Sequence, residues 1–154
     1  MSKKFDYVNT MITGEETFEE INDMIQSMSD IDEIDYALYE NNKIFGILKR
    51  MIAAHGRKLE KLTTQYEKVK LHRWRRYAGK WTAEQYKQEP MPEIPLKTDI
   101  DKYLAVDEMV VEMKSILNEQ ERIVKLIEDA QKSWSNRSYN IKTLVEWQKF
   151  QAGQ

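Results

Sequence analysis

Apolar residues recur at alternating steps of three and four along one long stretch of the chain. The stretch runs from position 31 to position 76 and spans nearly seven heptads. Its positions are Ile31, Ile34, Leu38, Asn41, Phe45, Leu48, Ile52, His55, Leu59, Leu62, Tyr66, Val69, Arg73 and Arg76. This spacing predicts a long amphipathic helix with a coiled-coil seam that becomes basic at its end.

Two polar residues interrupt the seam. A buried Asn in a seam often fixes register or oligomeric state, and we assign that role to Asn41. We interpret His55 as a structural residue of the seam, with metal ligation and pH sensing as the alternatives. Gly46 and Gly56 weaken the helix interior, so we expect another helix to approach closely at these positions.

A shorter helix precedes the long one. Its apolar residues lie at helical spacing and are Phe18, Ile21, Met24, Ile25 and Met28. We place this helix at about 15–28, with Thr13 or Thr17 as its N-cap, and we expect Ser29 and Asp30 to cap the long helix.

The long helix is predicted to end near Gly79, a suitable residue for the position after a helix C-terminus. The segment 88–98 contains all three prolines and therefore predicts a turn that reverses the chain. A second long helix follows, capped by Thr98 or Asp99. Its seam is predicted at Val106, Met109, Met113, Ile116, Gln120, Ile123, Ile127, Ala130 and Trp134, widened by Val110, Leu117 and Val124.

Residues 135–138 are expected to interrupt this second helix, and a terminal helix is expected over 139–151. The predicted fold is all-α: a long helical hairpin with a C-terminal helix, coiled-coil-like packing and assembly into a homo-oligomer. We divide the chain into an acidic N-terminal segment with a short helix, 1–30, and a helical DNA-binding and oligomerisation domain, 31–154.

Composition narrows the class of protein. The 154 residues include no Cys, which excludes disulfides and thiolate metal sites. No apolar run reaches the roughly 18 residues of a membrane span, and the N-terminus lacks an apolar signal core, so we expect a cytoplasmic protein that does not enter a membrane. The sequence contains neither a phosphate-binding glycine loop nor a metalloprotease helix motif. We therefore expect no enzyme activity, no cofactor and no metal.

Charge is distributed unevenly along the chain. Residues 1–40 contain 2 Lys and Arg against 11 Asp and Glu, whereas residues 41–80 contain 12 against 2. Within 68–81 there are six Lys or Arg and no acid, interleaved with aromatic residues. We expect the acidic N-terminal third, residues 1–40, either to dock a basic partner surface or to shield this basic run in the free protein, and both alternatives stay open.

Cations interleaved with flat rings suit single-stranded nucleic acid, because cations neutralise phosphates and rings stack on exposed bases. The predicted DNA-binding residues are Lys68, Lys70, His72, Arg73, Trp74, Arg75, Arg76, Tyr77 and Lys80. Core packing of Trp74 and Tyr77 stays open as the alternative for the rings. The alternative for the whole protein is a non-enzymatic coiled-coil scaffold that does not bind DNA.

The end of the long helix resembles the UvsY recombination mediator family of large tailed phages. In that family a basic helix leads into a Tyr–small–Gly turn followed by a basic residue, as in Tyr77-Ala78-Gly79-Lys80. The family also ends in a basic helix that closes on Phe-x-Ala-Gly, and the matching residues here are Arg137, Ile141, Lys142, Phe150, Ala152 and Gly153. The resemblance covers roughly residues 30–154.

This resemblance implies a protein of the host cytoplasm that binds single-stranded DNA and forms a ring-like homo-oligomer. It also implies that the protein helps load a RecA-like recombinase onto DNA covered by single-strand-binding protein. The family's DNA contact includes a Lys and an Arg two residues apart. Arg73 is at the Arg position, whereas Leu71 stands at the Lys position and Lys70 is the nearest substitute.

The resemblance further implies that the C-terminal helix mediates oligomerisation, in agreement with the broad apolar stripe of the second half of the chain. The residues that we expect to contribute are Ile123, Ile127, Trp134, Ile141, Leu144, Val145 and Phe150.

Overall fold

The computed structural model describes residues 12–29 and 34–153, with side chains for 12–28 and 42–153. Over these residues the chain forms helices and no strand, so the all-α class is confirmed. The helices are α1 (Phe18–Ser29), α2 (Ile34–Tyr77), α3 (Ala83–Gln88), α4 (Ile100–Val106) and α5 (Glu108–Gln151). None of these described helices combines the length and the apolar character needed to cross a bilayer.

The chain divides into two compact units. The first unit is formed by Met1–Lys58 with Gln120–Gln154, and the second by Leu59–Glu119. The predicted domain boundary at residue 30, the predicted cap residue Asp30 and the seam side chains from Ile31 to Asn41 lie outside the described residues and stay predictions. Ser29, the other predicted cap residue, is the last residue of α1.

α1 begins with a capping box. The Thr17 hydroxyl accepts from the Glu20 amide at 3.2 Å, and the Glu20 carboxylate accepts from the Thr17 amide at 2.8 Å. This reciprocal pair satisfies two backbone donors that a helix N-terminus leaves free. Thr17 is thus the N-cap, and the helix begins at Phe18, three residues later than predicted.

The break predicted at 135–138 is wrong, because α5 continues through it to Gln151. The Ser138 hydroxyl donates to the Trp134 carbonyl at 3.0 Å, which is compatible with helix. Trp134 and Ile141, on either side of the predicted break, are both buried. Burial of these two residues keeps the segment helical despite its weak intrinsic propensity.

The core of the first unit combines residues of α1, α2 and α5. It consists of Ile21, Met24, Ile25, Met28, Ile44, Ile47, Leu48, Met51, Ile123, Ile127, Ala130, Trp134 and Ile141. Four residues assigned to oligomerisation, Ile123, Ile127, Trp134 and Ile141, therefore pack inside this unit. Leu144 and Phe150, at 49% and 74% exposure, face solvent, and Val145 is half-buried.

A smaller core holds the second unit together. It consists of Tyr77, Ile100, Leu104 and Val110, with Tyr66, Val69, Trp74, Ala78 and Met91 partly buried against it. On α5, Val110 and Leu117 are buried, whereas Met109 and Ile116 are exposed. The predicted seam is therefore displaced by one residue over the first turns of α5.

Within the described part of the chain, Gly46 and Gly56 do not mark the predicted close helix approach, since a Cβ at either position would meet none of these residues within 4 Å. The close approach is at Gly14 instead. This residue has a φ of 89°, and an added Cβ would lie 3.1 Å from the Ala54 carbonyl oxygen. The segment before α1 therefore lies directly against α2 within the first unit.

A buried polar cluster ties that segment to α2 and α5. His55 is fully buried, and its Nε2 lies 2.9 Å from the Glu16 carboxylate. The Gln120 amide nitrogen donates to the His55 carbonyl at 3.0 Å and lies 3.2 Å from His55 Nδ1. Because that nitrogen is a donor, Nδ1 acts as the acceptor and Nε2–H donates to Glu16. His55 has the structural role that we assigned to it.

Glu16 also closes the loop in front of α1. Burial alone would raise its pKa, but backbone amides of Thr13, Glu16 and Gly14 and the Thr13 hydroxyl donate to the carboxylate and lower the pKa to about 2. A carboxylate whose pKa is lowered in the folded state stabilises the fold at pH values above its ordinary pKa. This contribution is lost as the pH falls toward the pKa of the folded state.

We expect Glu16→Gln to flatten the acid side of the stability curve. The shift from 4.5 to about 2 corresponds to roughly 3 kcal/mol that wild type loses between about pH 5 and pH 2. Urea unfolding at several pH values measures this loss. Glu19→Gln, at an exposed carboxylate of α1, is the matched control and should keep the wild-type slope. An unchanged slope in Glu16→Gln would contradict the assignment.

Candidate nucleic-acid interface

The basic run lies in the second unit, where α2 ends in a tight turn. The Lys80 amide donates to the Arg75 carbonyl at 2.8 Å, and the Gly79 amide donates to the Arg76 carbonyl at 3.2 Å. This pair of bonds is a Schellman motif, and Gly79 takes its left-handed position with a φ of 72°. The helix end predicted near Gly79 is therefore confirmed.

The segment after the turn folds back against α2. The indole N–H of Trp81 donates to the His72 carbonyl at 3.0 Å, and the Tyr86 hydroxyl donates to the Arg76 carbonyl at 2.6 Å. Between them, Thr82 caps the short helix α3 through a capping box with Gln85. Trp81 thus lies beyond the end of α2 and packs back against it.

Arg73 is turned into the unit. Its side chain is 6% exposed, its Nε donates to Asp107 at 2.7 Å, and its two terminal nitrogens donate to Glu89 at 2.8 Å each. The hydrogen bond with Glu89 raises the pKa of Arg73 further, although burial acts in the opposite direction. Two carboxylates therefore neutralise the residue that occupies the family's arginine position.

Asp107 is the centre of this cluster. One of its oxygens accepts from Arg73 and from the Tyr77 hydroxyl at 2.7 Å each. The other accepts from the amides of Met109 and Val110 at 3.1 and 3.2 Å, so that Asp107 caps α5 directly after α4 ends. The second helix predicted from residue 98 onward is divided at this point.

Burial would raise the pKa of Asp107, but the hydrogen bonds from Tyr77 and Arg73 outweigh it and hold the pKa below its ordinary value. The same burial, together with the hydrogen bond to Asp107, raises the pKa of the Tyr77 phenol. Asp107 is therefore ionised and Tyr77 neutral at physiological pH, as their hydrogen bond requires.

Arg76 belongs to the same cluster. Its side chain is 11% exposed, and a terminal nitrogen lies 3.4 Å from the Glu89 carboxylate and from the Pro90 carbonyl. Its guanidinium carbon lies 5.4 Å from the Tyr77 ring centroid and 5.7 Å from that of Trp81. Three predicted DNA contacts, Arg73, Arg76 and Tyr77, thus bind other residues of the second unit. The Tyr77 ring packs in the core of this unit, as the alternative interpretation of the rings had it.

The other predicted cations face solvent. Lys68, Lys70, Arg75 and Lys80 are exposed, and among the described residues no carboxylate lies within ion-pair distance of any of them. Four unpaired cations thus remain on the surface of this unit.

Three of the exposed residues share one face of α2. Lys68, His72 and Arg75 follow each other at steps of four and three, which places them on one side of a helix. Lys61, seven residues before Lys68 and also exposed, extends this outer face. We refer to the surface formed by Lys61, Lys68, His72 and Arg75 as the basic outer face. Heptad spacing from Lys68 is the sequence signal that would have indicated Lys61.

Trp74 is half-buried and lies away from the basic outer face, on the side of α2 that carries Lys70 four residues earlier. Part of the ring packs on the core of the second unit, and the Lys80 ammonium lies 4.9 Å from the ring centroid. A partly covered indole next to free cations is able to stack on an unpaired base. In the described part of the chain, no group of three or more acidic or histidine side chains is arranged to hold a metal.

The chain was compared with models of known protein families, with curated proteins and with solved structures. A family model described as "Recombination, repair and ssDNA binding protein UvsY" matches residues 26–154, which is most of the chain. No curated protein and no solved structure matches.

We expect Asp107→Ala to lower the free energy of unfolding by about 3–5 kcal/mol, because it leaves the buried Arg73 with one carboxylate fewer and removes the cap of α5. Urea denaturation followed by circular dichroism measures the loss. Glu112→Ala, which removes an exposed carboxylate from α5, should stay within about 0.5 kcal/mol of wild type. Equal effects of the two substitutions would show that the cluster contributes little.

Proposed function

The chain belongs to the UvsY family of recombination, repair and single-stranded-DNA-binding proteins, and on this premise we propose that it acts as a recombination mediator. In this role it binds single-stranded DNA through the exposed cations of the second unit. It then helps load a RecA-like recombinase onto DNA that single-strand-binding protein covers. The role is one of binding rather than enzymatic catalysis.

The observation that carries the proposal is the set of four exposed cations without carboxylate partners: Lys68, Lys70, Arg75 and Lys80. Each is free to neutralise a phosphate and release a counterion, which favours binding at low salt without reading sequence. His72 and Lys61 lie on the same outer face as Lys68 and Arg75 and add polar contacts along it.

Arg73, Arg76 and Tyr77 have a different part in the proposal. Their carboxylate partners hold them inside the unit, so they fix the end of α2 and thereby position Arg75 and Lys80. Replacing Arg73 is therefore expected to reduce the stability of the second unit. DNA affinity should fall only as a consequence of this lost stability. Arg73 occupies the position of the family's arginine, but in this protein its charge is paired with the carboxylates of Glu89 and Asp107.

We also propose that the protein works as a ring-like homo-oligomer. Leu144, Trp147 and Phe150 near the end of α5 are exposed apolar residues, and the Trp147 and Phe150 rings stack at 6.0 Å. Burial against another copy would remove this apolar surface from water. Repetition of one basic face around a ring increases affinity through avidity, so each copy needs only modest affinity.

We expect the double variant Lys68→Ala/Arg75→Ala to bind labelled oligo-dT at least tenfold more weakly than wild type. For a single strand the salt dependence changes by about 0.7 per phosphate contact, so the slope of log affinity against log salt should fall by about 1.4. Fluorescence anisotropy across a salt series, with a duplex of equal length in parallel, gives both quantities.

The matched control is Lys125→Ala/Lys132→Ala, which removes two exposed lysines seven residues apart on α5, the same spacing and charge change. It should bind as wild type does. If wild type fails to bind oligo-dT even at low salt, DNA binding is wrong and the scaffold interpretation replaces it.

Loading requires a second measurement. With a RecA-like recombinase and single-strand-binding protein from the same genome, wild type should raise the DNA-dependent ATPase rate on covered strands, whereas Lys68→Ala/Arg75→Ala should not. Wild-type protein that binds DNA but leaves this rate unchanged would contradict loading while DNA binding stands.

A further inference from the structure

A cavity of about 450 Å³ opens beside the end of α2 in the second unit. Trp74 forms part of its wall, and Ile94 and Pro95 from the proline-rich segment form another part. The volume is in the range of pockets that hold small organic groups. The cavity lies next to the exposed cations but contains residues that the sequence pattern did not indicate.

The indole of Trp74 gives this cavity a flat wall. Trp74 is partly buried and packs against the cluster formed by Tyr77, Ile100 and their neighbours. The Lys80 ammonium lies 4.9 Å from its centroid, and Lys80 itself lines the cavity. The cation over the ring thus belongs to an exposed side chain.

The charges at the cavity suit a polyanion that carries flat groups. Lys80 and Lys97 line it, both are exposed, and neither has a carboxylate within ion-pair distance among the described residues. One carboxylate, Asp101, also lines the cavity, so the charge of the lining side chains is one positive unit in excess. Exposed Ile94 and half-buried Pro95 also line the cavity and offer apolar contact.

We propose that this cavity receives one nucleobase of the bound single strand, stacked on Trp74. Lys80 moves from the ring to a phosphate as the base enters, and Lys97 binds a neighbouring phosphate. The inference rests on the proposed single-stranded-DNA binding and deepens it, because it names the group that is recognised.

The pocket also supplies a reason for a preference for single strands. A base in a duplex has to be unpaired and unstacked before it can enter a protein pocket, whereas a base of a single strand is already free. Single-stranded and duplex DNA both offer phosphates to the basic outer face. The base pocket is thus the part of the surface that distinguishes them.

The test compares two labelled strands of equal length, oligo-dT and a strand of abasic sugar-phosphate units, with wild type, Trp74→Leu and Tyr103→Leu. Leu keeps apolar volume but cannot stack. Tyr103 is the matched control, since it is an exposed aromatic residue of the same unit that does not line the cavity. Circular dichroism melting confirms that each variant is folded.

Wild type should bind oligo-dT about tenfold or more tightly than the abasic strand, in keeping with the energy of one stacked base. Trp74→Leu should lose this difference and bind both strands as wild type binds the abasic one. Lys97→Gln should weaken binding of both strands and lower the salt slope by about 0.7. Tyr103→Leu should behave as wild type.

Equal affinity of wild type for the two strands would overturn the base pocket, and this measurement needs no variant. Equal losses of Trp74→Leu on both strands would also overturn it, because they indicate a structural role for the ring. In both cases phosphate binding survives. Failure of wild type to bind either strand at low salt would instead remove the proposed function and the pocket together.

Discussion

The second unit depends on the ion pair between Arg73 and Asp107. Removing two charges from water is costly, and the pair is tolerated only where the remaining donors and acceptors are satisfied. Asp107 meets this condition by accepting from Arg73, Tyr77 and two backbone amides of α5. The Glu89 carboxylate accepts hydrogen bonds from the two terminal nitrogens of the Arg73 guanidinium and so satisfies these donors. The interaction therefore joins the end of α2 to the start of α5 within this unit.

This constraint decides which cations of α2 are exposed to solvent. A helix that buries Arg73 and Tyr77 on one side must present Lys68 and Arg75 on the other, because these lie about half a turn away. The same inward cluster includes Arg76 and half-exposed Glu89, so two positive charges are compensated locally. The surface that remains therefore carries fewer positive charges than the sequence of the basic run suggests. Its cations, however, are not paired with carboxylates among the described residues.

The long helix α2 and its end were predictable, because they depend on local periodicity and on one glycine. The bounds of α5 were not, since its start after Asp107 and its continuity through 135–138 depend on tertiary contacts. The arrangement of the site was not, since its decisive contacts are remote in sequence. Arg73 meets Glu89 across 16 residues and Asp107 across 34, and His55 meets Gln120 across 65. The spacing of Arg73 on α2 is equally compatible with an outward cation and an inward one, and only its distant partners decide between them.

The short motif that carries the family resemblance acquires a physical meaning in this setting. Tyr77 binds Asp107 and fixes the last helical turn, and Gly79 takes a left-handed conformation that other residues adopt only with strain. Ala78 lines the cavity, where a larger side chain would occupy the space beside Trp74. Lys80 then follows at the rim, over the indole ring. The motif thus forms a structural turn that places Lys80 over the Trp74 ring, and its glycine is needed for the conformation of that turn.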